Sequence, residues 1–135
     1  MTKLESRRHS DKAHVRFYCD WMALPAYRYL SCHSSALLFE ILSWYRPANA
    51  NEFELSQRKV AVFLGCSRAT AAKAITELED MGWTECVAAG SGMVGAKESR
   101  AARYALTCYP TDHGTAPTNA FCRWIAFPKA CKAKR

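Results

Sequence analysis

The chain has 135 residues, half of them hydrophobic, and 19 Lys and Arg against 12 Asp and Glu give it a formal charge of +7. That length suits one domain around one core, and the apolar content excludes an intrinsically disordered chain. The basic balance points to an acidic partner, most commonly nucleic acid, and no apolar run approaches the roughly 20 residues of a membrane span.

Residues 1–16 form a basic arm, with Lys3, Arg7, Arg8, Lys12 and Arg16 against Glu5 and Asp11. Its start is polar and lacks the apolar core of a secretory signal, so a cytoplasmic location is expected. Phe17 to Leu30 is strongly aromatic, and Pro25 suits the first position of a helix. Two roles are open for this stretch: a dimer surface, or a cover over the chain's own core. Ser31 or Ser34 can cap the next helix, in which Ala36, Leu37, Leu38, Ile41, Leu42, Trp44 and Tyr45 are apolar over most of the circumference. Such a helix is central in the core or buried in a dimer. Phe53-Glu54-Leu55 is then a short strand candidate.

Residues 56–81 predict a helix, a turn at Gly65-Cys66-Ser67 and a second helix, the pattern of a helix-turn-helix unit. Ser56 and Ser67 are the N-cap candidates. Val60, Ala61, Phe63 and Leu64 are expected on the buried face of the first helix. Ala71, Ala74, Ile75, Leu78 and Met81 recur at three- and four-residue steps as the buried stripe of the second, with Gly82 at its end. Arg58, Lys59, Arg68 and Lys73 are the only charged residues from Ser56 to Thr76. Phosphate neutralisation is the sequence-independent part of DNA affinity, so this acid-free run is the main functional signal. Acids follow at Glu77, Glu79 and Asp80, which are expected on the solvent side of the helix end.

Trp83–Ala89 and Arg103–Tyr109 read as two strands, and the glycine-rich GSGMVGAKES between them reads as a hairpin tip. This wing, residues 83–109, carries Lys97, Arg100 and Arg103 against Glu98. A basic hairpin beside a recognition helix can hold a second phosphate or the minor groove. Pro110 and Pro117 bound a loop that returns Phe121–Phe127 to the body. Residues 128–135 form a basic tail with Lys129, Lys132, Lys134 and Arg135. Arm and tail either wrap phosphates or serve solubility.

Seven cysteines, at 19, 32, 66, 86, 108, 122 and 131, include no Cys-x-x-Cys pair. They read as small hydrophobes in a reducing compartment, and neither a metal nor a cofactor is expected. Cys66, just before the second helix, has two readings: a thiol that senses oxidation, or a small turn residue. Gly90-x-Gly92-x-x-Gly95 has dinucleotide-fingerprint spacing but lies between two strands, where a fingerprint must open a helix. The histidines are scattered, no nucleophile motif is present, and no catalytic residue is expected.

Leu55-Ser56-x-Arg58, Val62-x-Leu64-Gly65-x-Ser67-x-x-Thr70-Ala71 and Glu77-Leu78-x-x-x-Gly82 form one ordered pattern. Ala102-Arg103-Tyr104-x-Leu106-Thr107 and Pro117-Thr118-Asn119-x-Phe121-x-Arg123-Trp124 extend it. Across residues 17–124 the chain resembles small winged-helix, helix-turn-helix proteins of alphaproteobacterial genomes, plasmids and phages. It departs from them at Asn49-Ala50-Asn51, where their pattern has Asn-Asn-Gly, and in a wing richer in glycine. The resemblance implies a DNA-binding regulator or a plasmid-maintenance factor.

The expected fold is mainly α with a small β-hairpin wing, a winged helix-turn-helix of the α+β class over residues 17–127. The expected partner is double-stranded DNA, with Ser67, Arg68, Thr70, Lys73 and Thr76 at the major groove and Arg58 and Lys59 on phosphates. Lys97, Arg100 and Arg103 would hold the backbone or minor groove. A homodimer is compatible with this reading. The alternative is a mobile-element protein that binds a host protein, as an inhibitor of nucleic-acid machinery of the anti-CRISPR type, or a plasmid replication factor. Such a binder would depend on exposed aromatics such as Trp21, Trp124 or Phe127.

Overall fold

Three serines start three helices. In the computed structural model, which describes residues 13–46, 51–88, 101–112 and 114–125, Ser31, Ser56 and Ser67 each accept a hydrogen bond from the backbone N–H three residues on. Each thereby satisfies one donor that a helix start leaves unpaired. The helices so capped are α3 (Cys32–Trp44), α4 (Gln57–Leu64) and α5 (Arg68–Asp80). Two single-turn helices precede them, α1 (Cys19–Met22) and α2 (Pro25–Arg28), the latter with Pro25 at its first position. The strands are β1 (Phe53–Glu54), β2 (Thr84–Ala88) and β3 (Arg103–Leu106), and a 3₁₀ turn spans Ala120–Arg123. The fold is thus a mixed α+β one, with five α-helices and a three-stranded sheet among the described residues.

The sheet is antiparallel throughout, in the order β1-β3-β2. β3 lies between its partners, with Phe53 opposite Tyr104 and Thr84 opposite Leu106. An irregularity between Cys86 and Ala88 shifts the β2–β3 register towards the hairpin end. Asn51 extends the pairing of β1 by side chain. Its Oδ1 accepts from the Leu106 N–H at 2.8 Å, while its Nδ2 faces the carbonyls of Leu106, Tyr109 and Pro110 at 2.9–3.3 Å. Asn51 is thus a fully buried rung of the sheet rather than a residue of an exposed turn.

The core joins Leu37, Leu38 and Ile41 of α3, Val60 of α4, and Ala71, Ala74, Ile75 and Leu78 of α5. Trp83, at the exit from α5, stacks on Phe121 of the 3₁₀ turn with ring centroids 4.1 Å apart. Its indole N–H donates to the Ala26 carbonyl at 3.0 Å, so the polar edge of this buried ring is satisfied. Phe17 and Trp21 both contact Trp83, and Trp21 also meets Phe121 edge on. The aromatic stretch 17–30 therefore turns these rings onto the chain's own core. Of the basic arm, Val15 packs against that core, whereas residues 1–12 and the tail 128–135 lie outside the described residues. No helix among the described residues is long and apolar enough to cross a membrane.

Candidate nucleic-acid interface

Gly65 ends α4 in the left-handed conformation, φ +65°, and the chain turns through Cys66 into the Ser67 cap. Ser67 Oγ also lies 3.0 Å from Thr70 Oγ1, which ties the first turn of α5 together. Ala71, Ala74, Ile75, Leu78 and Met81 are all buried, as their spacing predicts. Burial of that stripe sets the rotation of α5. Ser67, Arg68, Ala69, Lys73 and Thr76 are exposed on the opposite side, while Thr70 and Ala72 are half-buried at its flanks. Arg68 and Thr76 stand roughly 12 Å apart along the axis. Ala69, which the sequence pattern does not mark, sits near the middle of this outward face. Its methyl leaves space for close approach, a property that no local pattern marks.

Arg58 and Lys59 are exposed on the first turn of α4. The Lys59 ammonium lies 5.6 Å from the centre of the Trp44 ring and 6.0 Å from that of Phe63, so both rings share its charge. Phe63 itself departs from expectation. It is 40% exposed and leans on Trp44 from outside, with ring centroids 5.3 Å apart. Val60 alone is fully buried on this eight-residue helix, and its narrow apolar stripe leaves position 63 on the flank.

Arg103 is engaged by its neighbours. Its Nε donates to Glu52 at 2.7 Å and its Nη1 lies 3.6 Å from Glu54, the residue paired with it across the β1–β3 ladder. Two carboxylates thus balance the charge that the sequence assigned to phosphate. Lys97 and Arg100 lie outside the described residues, as does the glycine-rich hairpin tip. Trp21 and Trp124 are half-buried, and Phe127 also lies outside the described residues.

Glu77 departs from expectation as well. It does not simply face solvent but reaches across to the start of α3. There it accepts from the Ser31 N–H at 3.1 Å, from the Ser31 hydroxyl at 2.9 Å and from the Ser34 hydroxyl. A carboxylate at a helix N-terminus satisfies open donors and opposes the positive end of the dipole. Glu77→Ala is expected to lower stability by about 1–2 kcal/mol, read as a shift in urea midpoint at constant slope. A midpoint equal to that of the unchanged protein would contradict this role. Glu77 and Asp80 also line a shallow depression of about 410 Å³ with Lys73 and Thr76, where the basic face gives way to acid.

Among the described residues no group of three or more His, Cys, Asp or Glu converges as metal ligands would. The six described cysteines are free thiols, and burial pushes that of Cys108 up to about 12. Cys66 is half-buried in the turn before α5. Comparison of the chain with protein-family models, curated proteins and solved structures gave no match.

Proposed function

We propose that the chain is a winged helix-turn-helix protein that binds double-stranded DNA through the outward face of α5, as a regulator of a phage, plasmid or bacterial operon. The observation that carries this reading is the exposed face from Ser67 to Thr76, basic and free of acid, on the second of two helices joined by a tight glycine turn. A helix presented in this way can enter a major groove, and its N-terminal half makes the base contacts. The element order α3-β1-α4-α5-β2-β3 and the strand order β1-β3-β2 support a winged helix, with β2 and β3 as the wing.

In this reading Arg68 and Lys73 donate to base edges or phosphates, and Ser67, Thr70 and Thr76 supply hydroxyls beside them. Arg58 and Lys59 hold phosphates next to the groove. Lys97 and Arg100 would serve the wing. Arg103 serves it less well, because binding a phosphate means giving up Glu52 and Glu54.

A competition assay tests the reading. Duplex from the region upstream of the protein's own reading frame is bound in the presence of excess random duplex. Arg68→Ala and Lys73→Ala are each expected to lower the preference for that duplex roughly tenfold. Both residues are exposed, so their removal leaves the melting temperature nearly unchanged. Equal preference in both variants and the unchanged protein would exclude α5 as the reading element.

A further inference from the structure

The outward face of α4 is apolar at its centre and cationic at its edges. Val62 is 76% exposed, more than any other large hydrophobic side chain among the described residues, and Phe63 next to it is 40% exposed. Arg58 and Lys59 lie four and three positions before Val62, which puts all three on one side of the helix. Among the described residues neither cation forms an ion pair. The Lys59 ammonium is steadied over the Trp44 and Phe63 rings, 5.6 and 6.0 Å from their centres. Phe63 is propped against Trp44, so the ridge is backed by a second ring rather than hanging free.

We propose that this ridge docks an acidic amphipathic helix of a partner protein. The partner's apolar side chains would cover Val62 and Phe63, and its carboxylates would meet Arg58 and Lys59. An apolar groove-and-ridge contact flanked by opposite charges is a recurrent mode of helix recognition. The charges argue against a second copy of the chain on this face, because two-fold pairing would bring Arg58 and Lys59 of both copies together. The exposed apolar centre, not the charges, argues against nucleic acid as the occupant of the whole ridge, so DNA phosphates and the partner's carboxylates are alternative occupants of Arg58 and Lys59. Phosphates would satisfy Arg58 and Lys59 but leave Val62, the centre of the face, without an apolar partner. The proposal does not rest on the DNA-binding reading: Arg58 and Lys59 suit either acid, whereas Val62 and Phe63 suit only the protein.

The test uses the full chain and a fluorescent synthetic peptide of about 18 residues, with Leu on one helical face and Glu on its flanks. A scrambled peptide of the same composition, which forms no apolar face, is the control. Saturable binding is expected for the first peptide and at least tenfold weaker binding for the second. Val62→Ser is expected to weaken the first peptide roughly tenfold, while Arg68→Ala with Lys73→Ala leaves its affinity unchanged. Amide shifts in residues 58–63 report that the variant folds and where the peptide sits. The proposal is overturned if the peptide does not bind, or if both peptides bind equally, which is charge alone. It is also overturned if Val62→Ser binds as tightly as the unchanged protein. Loss of peptide binding in the Arg68/Lys73 variant would mean a mimic of DNA on α5 instead. Concentration-dependent dimerisation abolished by Val62→Ser would assign the ridge to a second copy.

Discussion

Gly82→Ala is expected to cost about 4 kcal/mol of folding stability and to lower the melting temperature by roughly 10–20 °C. Gly82 holds φ +88°, a conformation in which an L side chain crowds its own carbonyl. That crowding alone costs about 1–2 kcal/mol. A Cβ there would also lie 2.7 Å from Ala120 C and Phe121 N and 3.0 Å from Ala120 O. These are backbone atoms of the 3₁₀ turn, so no rotamer change relieves the contact. Moving that turn disturbs the Phe121 ring stacked on Trp83, the largest fully buried side chain among the described residues. The Thr107 hydroxyl donates to the Gly82 carbonyl at 2.7 Å, which pins the same spot from β3's end. Gly65→Ala separates the two causes. Gly65 also has positive φ, +65°, but nothing within 4 Å of a Cβ, so its cost should stay near the conformational part alone. Thermal melts of both variants by circular dichroism give the comparison. Equal losses would mean that the approach of residue 82 to the 3₁₀ turn contributes nothing.

Asn51→Ala is expected to cost about 3 kcal/mol, because it strands the buried N–H of Leu106 and removes the donor shared by one buried and two part-buried carbonyls. The Leu106 N–H loses its acceptor, and the carbonyls of Leu106, Tyr109 and Pro110 lose their shared donor. The backbone N–H of Asn51 is held separately, by Asp112 at 3.0 Å, and survives the change. Asn51→Asp keeps the shape but turns a carboxylate oxygen towards three carbonyl oxygens. It should therefore destabilise at least as much as Asn51→Ala, although it removes no volume. Urea unfolding of the pair decides the point. An Asn51→Asp variant close to the unchanged protein would show that packing, not the hydrogen-bond network, holds residue 51.

The parts of the fold written in local signals were legible in the sequence. Ser56, Gly65, Ser67 and Gly82 punctuate α4 and α5 where their chemistry predicts, and the 71-74-75-78-81 stripe is buried at every position. Alternation marked β2 and the start of β3, and Phe53-Glu54 forms the short strand expected there, but β3 ends at Leu106 rather than Tyr109, because the chain turns from Thr107 on. What stayed hidden depends on residues far apart in the chain. Asn51 acts through Leu106, 55 positions on, and Glu77 through Ser31, 46 positions back. Locally, an Asn next to Asn49-Ala50 looks like a turn, and a Glu near Asp80 looks solvated. Arg103 looked like a wing cation because its partners Glu52 and Glu54 lie just before and on the strand that register, not sequence, sets beside it. Phe63 looked like core because a short helix offers too few positions to distinguish the stripe from its flank.

The site shares this structure. Glu77 fastens the C-terminal half of α5 to the start of α3, and the buried stripe fixes its rotation. The face from Ser67 to Thr76 is therefore held by packing on one side and a carboxylate bridge beside it. Such rigidity suits an element that has to present several side chains in register with a groove.

Fluorescence anisotropy of the full chain with its own upstream duplex, over a salt series and against random duplex, bears on DNA binding itself. Arg58, Lys59, Arg68 and Lys73 on phosphates predict log affinity falling against log salt with a slope of about −3 to −4, together with a preference that survives competition. Binding that is flat with salt, or a steep slope with no preference for the upstream duplex, would contradict sequence-specific recognition by α5.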